Sequence, residues 1–394
     1  MKVYLNALGL ITPIGANKHE VATSLFKGIS GVTARTDLIA EGSALVGAIT
    51  NPLPSIPTPL SHLDCRNNRL ALAALLQIEE PIRAMTERFS AERIAVVMGT
   101  STAGIAEGEE ALTQRKRSGS WPATFRYSQQ EVGNLARFVA DWSNVTGPTY
   151  TIATACSSSA KALASAQRLL TLGACDAAIV GGSDSLCRMT LNGFASLEAL
   201  SPNLCNPFSL NRDGINIGEG AAIFLVSRIP SPVALLGVGE SSDAYHTSAP
   251  DPDGAGAILA MRAALKNAGL TPAAIAYINL HGTATSLNDV MEGRAVAEVF
   301  GRHLPCSATK PLTGHTLGAA GAIEAAFLWL MLHPEYATGI APPHLWDGVA
   351  DPAVASLNLV PREFKLQLTA CCALLSNSFA FGGSNASVIL GRGY

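Results

Sequence analysis

The stretch Tyr150-Thr-Ile-Ala-Thr-Ala-Cys156-Ser-Ser-Ser-Ala-Lys-Ala-Leu-Ala-Ser-Ala166 joins an apolar run to a small-residue segment, with one thiol at the junction. The apolar run predicts a strand closed by Ala153, and the small-residue segment predicts a helix from Ser157 to about Leu172, ended by Gly173. A cysteine in the first turn of that helix faces unpaired backbone N–H groups, whose partial positive charge favours thiolate over thiol. A single buried cysteine is more often an inert packing residue, so the rest of the chain decides its weight.

Working outward, apolar runs alternate with helical periods. Val3–Leu10 ends at the turn-like Ile11–Gly15, and Ile94–Met98 enters the loop Gly99–Gly104. Further runs are Ala177–Gly181, Ala221–Val226 and Ile275–Leu280, with helices predicted over Ile258–Ala268, about Asn288–Phe300, and Ala319–Leu332. Two last strands, Cys371–Ser376 and Ala386–Leu390, flank the loop Phe379–Asn385. This order argues for an α/β fold with largely parallel sheets. Pattern alone leaves a duplication open, and Ser227–Val233, with Pro230 and Pro232, is the candidate crossing between halves 1–230 and 231–394.

Composition narrows the class. Hydrophobic residues make up 48% of 394 and charged residues 14%, which suits a densely buried fold with further surface hidden in a subunit interface. Net charge is −3 and cations are scattered, so there is no nucleic-acid footprint. Arg66, Arg69, Arg117 and Arg126 are candidates for a small patch that docks an acidic carrier. None of the eight cysteines has CxxC spacing, and Cys371-Cys372 has no metal partner nearby. No apolar run reaches membrane-spanning length, and the start lacks a signal peptide's apolar core. Reduced thiols in the cytoplasm are the expectation.

Two downstream segments carry imidazoles beside small residues: His281-Gly-Thr-Ala-Thr285 and Lys310-Pro-Leu-Thr-Gly-His315. His281 follows a strand at its C-terminal end, where α/β folds place chemistry. Thr283 and Thr285 offer hydroxyls to an amide-containing substrate arm. His315 precedes a helix whose N–H groups disfavour imidazolium, and a neutral ring can donate to a developing enolate oxygen. Lys310 is expected to hold His315, and Glu324, among apolar neighbours, to neutralise that lysine. Arg212 and Asp213 are expected to pair and fix their loop. Phe381, beside Gly382 and Gly383, is a candidate gate to an acyl passage. Against each stands a plainer reading: a structural histidine, a surface lysine, a hydrophobic plug.

Taken together, the chain resembles the β-ketoacyl-acyl-carrier-protein synthases of the thiolase superfamily, the elongating Cys-His-His class. Five ordered blocks carry the resemblance: Thr154–Ser158, Asn206–Gly220, His281-Gly-Thr, Lys310–Gly321 and Asn377–Asn385. The resemblance implies two similar halves stacked as five layers, α-β-α-β-α. It assigns Cys156 as nucleophile, His281, His315, Lys310 and Glu324 as the other catalytic residues, and Thr283 and Thr285 as pantetheine contacts. Phe379 and Phe381 form the acyl gate, and the backbone N–H groups of Cys156 and Phe381 the oxyanion hole. The implied reaction is decarboxylative condensation of an acyl-enzyme with malonyl-acyl-carrier-protein, giving a 3-oxoacyl product. It needs no metal and no cofactor beyond the phosphopantetheine on the carrier. The implied assembly is a homodimer, or a heterodimer with a chain-length-factor-like paralogue.

Some positions depart from the family pattern: Ser286 replaces a proline, Pro311 a serine, and Ala380 a glycine of the gating loop. None removes a reacting group, and together they suggest a specialised polyene or polyketide pathway as an alternative to fatty-acid synthesis. The rival reading is a non-catalytic, chain-length-setting subunit of a heterodimer. The presence of Cys156, His281 and His315 argues against it.

Overall fold

The structure of the protein, a computed structural model, describes residues 2–40 and 42–394. In chain order the strands are β1 (Val3–Ile11), β2 (Val32–Arg35), β3 (Ala44–Gly47), β4 (Ile94–Gly99), β5 (Thr149–Ile152), β6 (Ala177–Asp184) and β7 (Ile217–Gly218). They continue as β8 (Gly220–Ser227), β9 (Ala234–Ser242), β10 (Ile275–Leu280), β11 (Pro305–Ala308), β12 (Asn358–Leu359), β13 (Cys372–Ala380) and β14 (Ser384–Arg392). Among the described residues, eleven strands form one array in the order β12-β11-β10-β13-β14-β9-β1-β8-β6-β4-β5, while β2, β3 and β7 form a small separate sheet.

The array is mixed, contrary to the largely parallel sheets predicted. β8 runs antiparallel to both β1 and β6, and β14 antiparallel to both β9 and β13. The outer pairs β4–β5, β4–β6, β10–β11 and β10–β13 are parallel. The tight hairpin between β13 and β14 makes one of these antiparallel pairs, since so short a link cannot make a parallel crossover.

Read outward from the centre, β1-β8-β6-β4-β5 and β9-β14-β13-β10-β11 have the same chain order and the same strand directions. The chain is therefore a topological duplication that its letters do not display. Ser227 ends β8, and residues 228–233 lead from it to β9, where one set of strands gives way to the other.

Three apolar clusters show the layering. Helices Arg66–Leu75 and Asn134–Ser143 cover one outer face, and helices Ala255–Ala268 and Asn288–Phe300 the other. Between the two sets of strands lie helices Ser158–Thr171 and Ala320–Leu332. The latter is buried at every residue, which explains why it is apolar on all sides. It passes so close to its neighbour that a Cβ on Gly321 would stand 2.7 Å from the backbone nitrogen of Ala160. These central helices are equivalent elements of the two repeats, each entered from the third strand of its set, β5 or β11. Their packing brings Cys156 and His315, 159 residues apart, to one place.

Candidate active site

Cys156 sits in a sharp turn between β5 and its helix. Ala155 adopts φ +50°, in the left-handed region that residues with a side chain seldom enter. The turn is tied by Ser158, whose hydroxyl donates to Ala155 O at 2.6 Å and accepts from Thr154 N–H at 2.9 Å. The helix begins at Ser158, so Cys156 precedes it and does not occupy its first turn as predicted. The expected lowering of the thiol pKa is also overturned. Complete burial pushes Cys156 up to about 11, even though the Lys310 charge and the backbone N–H groups of Phe381 and Cys156 favour the thiolate. Desolvation outweighs the stabilising field.

His315 Nε2 lies 2.9 Å from Cys156 Sγ. Its backbone is pinned as a bridge to β7: His315 N–H donates to Asn216 O at 2.7 Å, and His315 O accepts from Gly218 N–H at 2.8 Å. Gly314, at φ +68°, makes the preceding bend. His281 stands edge-on to His315, ring centroids 5.5 Å apart. Burial first, and then the Lys310 charge, hold both imidazoles well below their ordinary pKa, so both rings are neutral.

Lys310 serves His281, where the sequence reading assigned it to His315. Its ammonium donates to the His281 carbonyl and to Glu324 Oε1 at 2.6 Å, and it stands 3.4 Å from His281 Nδ1. An ammonium has no acceptor, so His281 Nδ1 must be the unprotonated nitrogen and Nε2 must carry the hydrogen. Lys310 and Glu324 are both fully buried, as a mutually compensated pair.

Sequence reasoning missed two acids that shape the histidine loop. Glu292 accepts from the N–H groups of His281 at 2.7 Å and Gly282 at 2.8 Å. Asp289 accepts from Phe208 N–H at 2.8 Å and Ala284 N–H at 3.2 Å. Both lie on the inner face of helix Asn288–Phe300, and burial raises Glu292 to about 7. Their signal was available: carboxylates three apart, on the face shared with Val296. The loop needs such anchors because Gly282 and Ala284 have φ of +46° and +59°.

A cavity of about 400 Å³ opens onto Cys156, His281 and His315. Thr283 and Thr285 line it, their hydroxyls 2.9 Å apart. The predicted loop Phe379–Asn385 is a tight hairpin, in which only Phe381, Gly382 and Gly383 lie outside the strands. Phe381, at its tip, stacks on Phe194 with centroids 5.5 Å apart, and Phe379 lies buried beside His281. Ala380 ends β13 without a positive φ, so its methyl group is accommodated.

Other expectations fail. Arg212 pairs with Asp351, and Asp213 bonds Ser201 and Asn203, so the predicted pairing of Arg212 with Asp213 is absent. Arg66 is committed to buried Glu219 and Arg69 to Asp64, which removes both from a free basic patch.

Among the described residues, Cys156, His281 and His315 are also the one group able to ligate a metal, with ligand atoms within 4.8 Å of one another. A tetrahedral zinc ion would hold sulfur and nitrogen ligands roughly 3.5 Å apart. The observed 2.9 Å is a hydrogen-bond length, and the neighbouring ammonium opposes a second cation. A thiol facing neutral N–H donors suits thioester chemistry.

Known proteins resemble this chain in sequence and fold. The N-terminal domain of β-ketoacyl synthases matches residues 65–230, and the C-terminal domain matches residues 233–345. The 3-oxoacyl-[acyl-carrier-protein] synthase 2 of Staphylococcus aureus (strain MRSA252) is 30% identical over 99% of this chain and 98% of that relative. The chain belongs to the β-ketoacyl synthase family. Among solved structures, a ketosynthase (ApeO) in complex with its chain length factor (ApeC) from Xenorhabdus doucetiae superimposes with a TM-score of 0.95 at 46% identity, covering 99% of this chain and 98% of that one. The ishigamide ketosynthase/chain length factor gives 0.89 at 27% identity, over 99% of each chain. The fold is thus that of the thiolase superfamily. With its cysteine and both histidines assembled, this β-ketoacyl synthase is a catalytic condensing enzyme and not a purely chain-length-setting subunit. No helix among the described residues is long and apolar enough to cross a membrane.

Proposed function

We propose that this β-ketoacyl synthase condenses an acyl group held on Cys156 with a malonyl thioester carried on the phosphopantetheine arm of an acyl carrier protein. The observation that carries this reading is the sulfur 2.9 Å from His315 Nε2, with the second neutral imidazole beside it at the end of a cavity. In the first half-reaction Cys156 sulfur bonds the acyl carbon, the carbon–sulfur bond to the arm breaks, and the arm leaves as a thiol with the proton that Cys156 gave up. In the second, the malonyl C–C bond to the carboxylate breaks, releasing carbon dioxide and leaving an enolate. His281 and His315 meet its oxygen with Nε2–H. The enolate carbon attacks the Cys156 thioester, and the resulting oxyanion sits between the N–H groups of Cys156 and Phe381. Collapse frees the Cys156 thiolate, which takes a proton from solvent, and a 3-oxoacyl chain two carbons longer.

Thr283 and Thr285 hold the amide portion of the arm, and Phe381, aided by Phe379, gates the acyl passage. Lys310, Glu324, Asp289 and Glu292 are positioning residues. Functional halves meet at residue 230, and the protein works in the cytoplasm, where its cysteines stay reduced. The partner is a paralogous chain-length subunit: identity is 46% to a ketosynthase solved in complex with its chain length factor and 30% to the 3-oxoacyl-[acyl-carrier-protein] synthase 2 of Staphylococcus aureus. The departures at Ser286, Pro311 and Ala380 favour a specialised polyene or polyketide chain over housekeeping fatty acids.

The decisive experiment mixes the enzyme with acyl carriers of several chain types and weighs the intact protein. A mass increase by one acyl group is expected, lost in Cys156→Ala, while malonyl decarboxylation persists in that variant. Acyl transfer surviving in Cys156→Ala would refute the assignment.

A further inference from the structure

The cavity wall contains a cation whose hydrogen-bonding capacity is only partly used. Arg212 lines the cavity beside Thr283, Thr285 and Ser286, and its side chain is 8% exposed. A guanidinium presents five N–H hydrogens in a planar fork. Three have acceptors: Nη1 donates to Asp351 and to Ser209 O at 2.8 Å, and Nη2 donates to Ser286 O at 3.0 Å. One hydrogen on Nη2 and the one on Nε remain, and Nε is buried with no acceptor among the described residues. Nε and Nη2 form one edge of the fork, the geometry that takes two oxygens of a carboxylate or phosphate at once. Ser286 and Leu287 are exposed, so this edge lies in the outer part of the cavity, where an incoming arm passes.

We propose that Arg212 is a specificity residue whose Nε–Nη2 edge takes an oxyanion carried by the incoming thioester, either the phosphate of the arm or the carboxylate of the malonyl group. The oxyanion meets Nη2 first and reaches Nε as the Ser286 segment shifts aside. Asp351 shares the guanidinium and tempers its charge. Among the described residues that line this cavity, Arg212 is the one Lys or Arg side chain, and the acids of the wall have other partners or face solvent. Asp213 is bonded to Ser201 and Asn203, Asp243 to Asn385, and Glu198 is exposed. The inference rests on the thioester-arm reading above and adds to it the group that selects charged over uncharged thioesters.

The test compares kcat/KM for acylation by acyl-phosphopantetheine and by acyl-pantetheine, and for condensation with malonyl-pantetheine, in wild type, Arg212→Lys and Asp351→Asn. A lysine keeps the charge but loses the fork. Arg212→Lys is expected to lower the phosphopantetheine-to-pantetheine ratio by about tenfold, the scale of one charged hydrogen bond. Asp351→Asn removes the competing carboxylate and is expected to hold or raise that ratio. If the phosphate is not the group bound, the loss of about tenfold falls instead on malonyl-pantetheine relative to acyl-pantetheine. Unchanged ratios in both arms, or equal loss in the two variants, would mean a structural ion pair and overturn the proposal. A wild-type enzyme that accepts none of these thioesters would instead overturn the function proposed above.

Discussion

Lys310→Met tests separately the charge compensation within the buried pair and the positioning of His281. Glu324 Oε1 has only Lys310 as partner, and Oε2 has none among the described residues. Removing the ammonium therefore leaves a carboxylate in an apolar helix with no compensating donor. Breaking a buried pair in this way costs about 3–5 kcal/mol. Protonation of Glu324 limits the loss, because burial already raises its pKa and the cation that opposed the rise is gone. The sign of the pH dependence follows. A carboxyl with a raised folded pKa binds more protons folded than unfolded, so stability falls as pH rises above the ordinary carboxylate range. The slope approaches about 1.4 kcal/mol per pH unit until the folded group ionises. Urea midpoints measured from pH 5 to pH 8 should show this slope in Lys310→Met. Lys310→Met/Glu324→Leu should recover most of the stability, since apolar replacement of a buried pair is tolerated. Condensation should stay impaired in the double variant, because His281 Nδ1 has lost the donor that fixes its tautomer. A single variant with wild-type midpoints at every pH, or a double variant that regains full turnover, would refute this account.

Three further outcomes are expected. Replacing His281 or His315 by Ala should slow condensation by about 3 kcal/mol, roughly a hundredfold, while acyl-Cys156 still forms in the His281 variant; single-turnover mass measurements would show it, and equal loss of both steps would contradict it. Alkylation of Cys156 by iodoacetamide should accelerate about tenfold per pH unit until pH approaches the thiol's value of about 11, and a plateau below pH 8 would mean a stabilised resting thiolate. Glu292, at about 7, should lose its charge as pH falls, weakening its hold on the His281 and Gly282 N–H groups, so that kcat declines on the acid side; Glu292→Gln should abolish that limb, and an unchanged profile would exclude the cause.

Much of the site was legible in the letters because its chemistry depends on residue type and local setting. Cys156 at a strand–helix junction, His281 after a strand and His315 beside glycine could each be picked out, and the five ordered blocks connected them. Glu324 also stood out, since a carboxylate among Ala and Ile needs a partner. Lys310 was found but its contact was misassigned. Sequence proximity favoured His315, five positions away, whereas the fold turns the ammonium onto His281.

The sequence by itself determined the alternation of strands and helices, the reactive groups and the small residues that leave them room, because these follow from periodicity and side-chain chemistry over short spans. Tertiary structure alone decided the repeated strand order, the antiparallel returns, and the meeting of two central helices that brings Cys156 to His315. It also decided that the thiol is held protonated and the imidazoles neutral, since desolvation depends on everything packed around a group and not on its neighbours in the chain.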